Sequence, residues 1–402
     1  MKADAPVLET RGLDAGYGGK IIVKNIGIEA LRGHTICLLG PNGSGKSTIL
    51  RTLSGLLSPV NGSVYVSGVR IESMKPVDRA KNLAAVLTES LSIPMTSVFE
   101  ITAMGRTPHT GFFGKLSGED TRIVNEALET AGAADLAGRE YYSLSDGEKQ
   151  KVMIARALAQ QPGLIILDEP TSHLDIKHKI EVMRILNRLS RERDLTVILA
   201  LHDIDIALKA CQYVLLVKDG AISAAGKPED LMDGSVLNRL YGIEDAFYDS
   251  LLGSTELYNE LPPRVFIVAG AGSGTPFYRT ASRMGLGIAT GILHRNDIDC
   301  RVAEDMRLAL VAEDSFKPIS GDRAREAWDL MRNTELVVDT AFPVGDFNGE
   351  NAALLRRAAS SGLRCVSLRA GEGLQALYGD ASANVERAES SGRVSKTLAS
   401  LI

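Results

Sequence analysis

The sequence predicts an α/β protein in two parts: a P-loop nucleotide-binding domain with a helical subdomain, then a smaller domain on a doubly wound parallel sheet. Three observations carry this. The run Gly40-Pro41-Asn42-Gly43-Ser44-Gly45-Lys46-Ser47-Thr48 follows a short apolar stretch and opens a helical pattern. A second apolar stretch, Leu164 to Leu167, ends in the paired acids Asp168-Glu169. After Pro262-Pro263 the texture restarts, and apolar runs of strand length alternate with helical patterns to the C-terminus. At 402 residues the chain is too long for one ordinary core, and the boundary is placed between residues 260 and 261.

In the first part, Thr35 to Leu39 reads as a strand and Ile49 to Leu53 continues as a helix, the context a phosphate loop requires. Gly40, Gly43 and Gly45 let backbone N–H groups turn inward around an anion. Lys46 can reach the β- and γ-phosphates, Ser47 can ligate Mg²⁺, and the helix start adds its dipole. Residues 40–48 therefore predict binding of a nucleoside triphosphate. The run Leu164 to Leu167 reads as a buried parallel strand that delivers its acids to the sheet's C-terminal edge. Asp168 is placed to hold Mg²⁺ and Glu169 to polarise the water that attacks the γ-phosphate.

Composition narrows the class. A net charge of −5 gives no support to nucleic-acid binding. Cys37, Cys211, Cys300 and Cys365 are scattered, which fits reduced, buried thiols better than a metal site or a disulfide framework. No apolar stretch approaches the roughly eighteen residues that span a bilayer, and the N-terminus lacks a signal-peptide core. Any work at a membrane is expected from the cytoplasmic side, through a partner.

Between the two nucleotide motifs lies Leu144-Ser145-Asp146-Gly147-Glu148-Lys149-Gln150, followed by a helical Val152 to Gln160. Ser145 and Gly147 sit at a helix start, where an N-cap and a phosphate contact are both natural. This run resembles the signature motif of ATP-binding cassette (ABC) ATPases, and the order of phosphate loop, signature, Asp-Glu strand and later histidine is similar to that family's. The resemblance covers roughly residues 5–255. It implies ATP and Mg²⁺ as cofactors, a D-loop at Ser172-His173-Leu174-Asp175, a switch histidine at His202 after the strand Thr196 to Leu201, and adenine stacking on Tyr17. At the position of the family's glutamine, which touches Mg²⁺ and the attacking water, this chain offers Thr88 or Glu89.

Within the family the chain looks most like importers of iron–siderophore, haem and cobalamin-type cargo. Gly105-Arg106-Thr107-Pro108-His109, Ala85 to Glu89, Ser145 to Arg156 and Gly226 to Leu231 carry that likeness. It implies an ATP-hydrolysing importer subunit, peripheral at the cytoplasmic face of the cell membrane. A second copy of the chain would complete each ATP site, an integral permease would form the pore, and a periplasmic or extracellular binding protein would deliver cargo. Residues 91–143 would dock the permease; they also read as an ordinary helical insert, with a capping box at Ser117 to Asp120 and an apolar stripe of Ile123, Ala127, Leu128 and Ala131. A soluble cassette ATPase not coupled to transport is the alternative.

The second part has apolar runs at 264–269, 286–293, 307–312, 335–341 and 363–368. Its first strand leads into Gly270-Ala271-Gly272-Ser273-Gly274, which resembles a mononucleotide-binding turn but is explained equally by close helix–strand packing. The second strand leads to His294 rather than an acid, with Asp297 and Asp299 just beyond. A regulatory role is the expectation for this domain. No nucleophile or acid–base pair marks it as an enzyme in its own right.

Overall fold

The computed structural model describes residues 5–87, 95–111, 114–231 and 234–402. The chain forms two compact units, Met1–Gly242 and Ile243–Ile402. In the first, a six-stranded sheet runs in the order Ala221–Gly226, Tyr213–Lys218, Thr35–Leu39, Thr196–Leu201, Leu164–Asp168, Leu83–Val86. All its pairs are parallel except the first. The strands Thr35–Leu39, Leu164–Asp168 and Thr196–Leu201 are buried along their whole length, which is why they read as unbroken apolar runs rather than as alternating ones.

Register decides which residues meet at the C-terminal edge. Leu39 pairs with Leu201, and Asp168 pairs with Ala200. Gly40, His202 and Glu169 therefore leave adjacent strands at nearly the same level, on chains about 4.8 Å apart.

An antiparallel sheet packs on this layer. It is built from Lys20–Ile26, Leu8–Tyr17, Asn61–Val66 and Val69–Arg70, with Glu29–Ala30 paired to Leu8–Tyr17. The two sheets and the helix Lys46–Leu53 share one core, in which Leu13, Val23, Ile49 and Leu50 are fully buried.

The helical subdomain holds Val98–Ala103, Gly118–Thr130 and Asp146–Ala159. The second starts with the expected capping box: Ser117 accepts from the Asp120 amide at 3.1 Å while Asp120 accepts from the Ser117 amide at 2.9 Å. Ile123, Ala127, Leu128 and Ala131 are buried as the stripe requires. Arg106 anchors the subdomain. Its guanidinium reaches Asp120 at 2.9 Å, the Ala159 carbonyl at 2.8 Å and the Gln161 side chain at 2.9 Å.

In the second unit six parallel strands run in the order Ala309–Glu313, Gly287–His294, Pro263–Val268, Leu336–Asp339, Cys365–Ser367, Val385–Arg387. This is the 3-2-1-4-5-6 order of the doubly wound fold. Val265 and Ile267 join one core with Tyr278, Val302 and Leu398, while Phe266 and Val268 join another with Ala327, Leu355 and Tyr378. Successive residues of one strand thus face helices on opposite sides of the sheet.

The division between units falls after Gly242 rather than at the expected 260/261. The difference is a hairpin, Ala246–Asp249 with Ser254–Leu257, whose two buried acids are tied to the second unit. Asp249 pairs with Arg301, and Glu256 pairs with Arg279. Of the glycines after Val268, Gly274 is required by packing: a Cβ there would lie 2.5 Å from the Ala269 Cβ and 2.6 Å from the Tyr278 hydroxyl. All four cysteines are buried and free.

Candidate functional site

The loop 40–45 wraps the end of the central strand because its glycines allow close approach. A Cβ on Gly40 would sit 2.1 Å from the Val217 carbonyl oxygen, and one on Gly45 would sit 2.3 Å from Cγ1 of Val23. Gly43 and Gly45 adopt φ of 79° and 104°, which only glycine holds cheaply. Lys46 folds back into the loop, donating to the carbonyls of Gly40 at 2.7 Å and Pro41 at 2.9 Å. Burial pushes its ammonium below the ordinary lysine value, against the charges of Glu169 and Asp168, which hold it up. Ser44 carries a buried hydroxyl with no partner among the described residues, as a cradle for an anion would. Pro41 and Asn42 form the rim of the loop, and Thr48 is buried in the first helical turn.

Ser47 donates to Oδ1 of Asp168 at 3.2 Å, so the hydroxyl and the buried carboxylate converge beside the loop. Next along, Glu169 adopts φ 54°, a strained value for a non-glycine residue, with its backbone N–H donating to the Ala200 carbonyl at 3.2 Å. That turn aims the side chain at two neighbours. Nε2 of His202 donates to Oε1, and the Ser172 hydroxyl donates to Oε2 at 2.8 Å. Burial alone would raise the Glu169 carboxyl, but these bonds and the charges of His202 and Lys46 outweigh it and bring it below the ordinary glutamate value. A cavity of about 230 Å³ beside the acids is also lined by Leu87, Asp146, Lys149, Gln150 and Met153.

Tyr17 ends its strand at the tip of a hairpin, paired with Lys20 and 46% exposed. Val23 of the same hairpin packs on Gly45, which sets this hairpin beside the phosphate loop. Ser145 caps the helix Asp146–Ala159 in a capping box with Glu148, whose carboxylate accepts from the Ser145 amide and hydroxyl, each at 2.8 Å. Gly147 is packed against the His178 ring; a Cβ there would be 2.7 Å from it. His178 is itself held by Asp175 of the D-loop stretch at 2.9 Å. Thr88 and Glu89 lie outside the described residues.

Gly40 to Thr48, Asp168, Glu169 and His202 are thus brought to one sheet edge. Ser172 was not singled out as a partner of Glu169. The signal was its spacing, three residues on, where its amide closes a turn onto the Glu169 carbonyl at 3.1 Å.

A nucleotide cassette of the P-loop class is what this fold and edge define. A family model described as ABC transporter matches residues 23–172, and one described as the MJ0874 family matches residues 288–402. An uncharacterized ABC transporter ATP-binding protein of Methanocaldococcus jannaschii, MJ0873, is 41% identical over 275 residues, covering 68% of this chain and 95% of the relative. The iron(3+)-hydroxamate import ATP-binding protein FhuC of Bacillus subtilis is 38% identical over 238 residues, 59% of this chain and 88% of its own. The cobalamin import ATP-binding protein BtuD of Halobacterium salinarum is 33% identical over 305 residues, 74% of this chain and 76% of its own. Among solved structures, cbiO1 from Clostridium perfringens, part of the ABC transporter complex cbiONQ, superposes with a TM-score of 0.53 at 28% identity. That match covers 59% of this chain and 94% of the other.

The chain belongs to the ATP-binding proteins of ABC transporters, which are ATPases coupled to transport. The BtuD match, at 305 residues, is longer than the first unit and so extends into the second.

Proposed function

We propose that this chain is the ATP-hydrolysing subunit of an importer for a metal chelate or corrinoid, the class that holds iron–siderophore, haem and cobalamin cargo. The observation that carries this is the likeness to both an iron(3+)-hydroxamate and a cobalamin import ATPase, each over at least three quarters of the relative's length. No helix among the described residues is long and apolar enough to cross a membrane. A peripheral subunit at the cytoplasmic face fits this, with an integral permease supplying the pore and a binding protein outside the cell supplying cargo.

Residues 40–48 cradle the phosphates, with the Ser44 hydroxyl and the loop amides as donors and Lys46 moving from the loop carbonyls onto the β- and γ-phosphates. Tyr17 stacks on adenine. Ser47 and Asp168, a hydroxyl and a carboxylate, are the hard oxygen set that suits Mg²⁺ and would hold it. Such an ion supplies neutralisation of the phosphate charge. Glu169 orients the attacking water and takes its proton as the new P–O bond forms and the β–γ bridge breaks, leaving ADP and phosphate. His202 holds Glu169 in place and faces the γ-phosphate. Ser145 and Gly147 of a second copy close over the nucleotide, so ATP binding joins two subunits and hydrolysis parts them.

The test is ATPase activity of detergent complexes containing this chain and its candidate permease. Binding proteins loaded with haem, siderophore or cobalamin would be added, and wild type compared with Glu169→Gln. Stimulation by one cargo, absent from the variant, is expected. Robust ATPase with no permease association and no cargo response would replace this reading with a cassette not coupled to transport.

A further inference from the structure

The C-terminal edge of the second unit's sheet carries features that the cassette does not use. Ala271, Phe316 and Ala341 are held at φ 56°, 60° and 61°, each in a loop following a different strand on this one edge. A left-handed backbone is costly for a non-glycine residue, and such strain persists where the surroundings impose it, often at ligand sites. A cavity of about 340 Å³ opens among these loops, lined by Ala271, His294, Asn296, Asp297, Phe316 and Phe347. Phe316 is 79% exposed and Phe347 52%, so two large aromatic rings stand in water on the wall of one pocket.

The pocket is braced rather than loose. The Ile319 amide donates to the Phe347 carbonyl at 2.9 Å, and Nε2 of His294 meets the Lys317 carbonyl at 2.8 Å. A carbonyl only accepts, so Nε2 carries the proton, and in the neutral ring Nδ1 is left as an acceptor. The exposed Asn296 amide adds a donor and an acceptor side by side.

Neighbouring residues decide what this edge cannot take. In doubly wound folds a phosphate sits at the start of the helix after the first strand. Here that seat is filled from within. Asp299, wholly buried, accepts from the Gly274 amide at 3.0 Å, the Thr275 amide at 2.9 Å and the Thr275 hydroxyl at 2.8 Å. Asp297 accepts from the Ala271 amide at 2.7 Å. Ser273 and Thr340 join at 2.6 Å across the crevice where the strand order reverses. A phosphate at this loop would meet two carboxylates and no free amide of the helix start.

We propose that the second unit binds an unphosphorylated purine nucleoside in this cavity, its base on the Phe316 and Phe347 rings and its edge read by His294 and Asn296. The volume lies in the range of small-ligand sites, about 300–1,000 Å³. Stacking on an aromatic ring suits any base, since each presents a flat π-face. An Asn amide is the natural complement of the adenine N6/N7 edge.

The test is calorimetric titration of adenosine and AMP into the full chain, with its cassette saturated by a non-hydrolysable ATP analogue. One saturable adenosine site is expected, weakened at least tenfold by Phe316→Ala or Phe347→Ala and unchanged by Tyr17→Ala. AMP should bind at least tenfold more weakly than adenosine. Both phenylalanines are exposed, so the variants should melt as wild type does, and Asn296→Ala gives an independent variant in the same wall. Absence of saturable adenosine binding, loss confined to Tyr17→Ala, or AMP binding as tight as adenosine would each overturn the assignment.

Discussion

Nε2 of His202 donates to Oε1 of Glu169, so two residues 33 positions apart share a proton line at the edge of the cassette's sheet. The bond does two things at once. It fixes the carboxylate, and with the Ser172 bond it keeps that carboxylate ionised below the ordinary glutamate range despite burial.

A base held ionised this way should impose no acid limb on the ATPase rate above about pH 4.3, the ordinary glutamate value. His202→Ala removes the strongest lowering influence, so burial is opposed only by the Ser172 bond and the Lys46 charge, the Glu169 carboxyl rises and any acid limb moves to higher pH. The pH dependence of kcat for wild type and His202→Ala checks this; superimposable profiles would refute it. Glu169→Gln should reduce kcat by about 10²–10⁴ while ATP affinity stays close to wild type.

The phosphate loop offers a graded pair. Gly43 and Gly45 both have positive φ, but a Cβ on Gly43 meets nothing within 4 Å, whereas one on Gly45 meets Val23 at 2.3 Å. Gly43→Ala therefore adds backbone strain alone, about 1–2 kcal/mol. Gly45→Ala adds the same strain and pushes the loop off the hairpin that carries Tyr17. Fluorescent-nucleotide titration should show a severalfold loss of ATP affinity for the first and a much larger loss for the second. Equal losses would mean that the hairpin contact does not shape the site.

These contrasts also show what the sequence could and could not reveal. The strands ending at Leu39, Asp168 and Leu201 were legible because a fully buried parallel strand is a nearly bare apolar run, closed here by Gly40, by the acids Asp168-Glu169 and by His202. The pairings of Leu39 with Leu201 and Asp168 with Ala200 were not, since register is a property of the assembled sheet. The place of the hairpin 246–257 in the second compact unit was not legible, because its anchors, Arg301 and Arg279, lie 52 and 23 residues away. The strand Val385–Arg387 escaped notice at three residues, too short for a periodic pattern. Asp299 filling the helix start after the glycine loop is a tertiary event that a glycine count cannot report.

Ser145 serves two purposes that a conservative variant can separate. Its hydroxyl caps the helix Asp146–Ala159, and in the sandwich proposed above it contacts the nucleotide on a second subunit. Ser145→Ala removes the cap, at a cost of about 1 kcal/mol. Asparagine caps as well as serine does, yet lacks the hydroxyl and is bulkier. Ser145→Asn should melt with wild type and lose at least tenfold in ATPase rate. Full activity in that variant would reduce Ser145 to a cap.

The second unit carries its own pH sensor of stability. Asp249 is fully buried against Arg301, with the partly buried Asp305 carboxyl beside it. Burial first, and then the charge of Asp249, push the Asp305 carboxyl up to about 7. In the unfolded chain the same group ionises near about 3.9. Between those values the folded state binds the extra proton, so stability falls as pH rises from about 4 to about 7 and levels off above. Asp305→Asn keeps the size of the side chain and removes the titration. Its melting temperature should converge with wild type near pH 4 and exceed it by several degrees at pH 8, given about 2–4 °C per kcal/mol for a domain of this size. Parallel melting curves across that range would show that Asp305 does not titrate between those values.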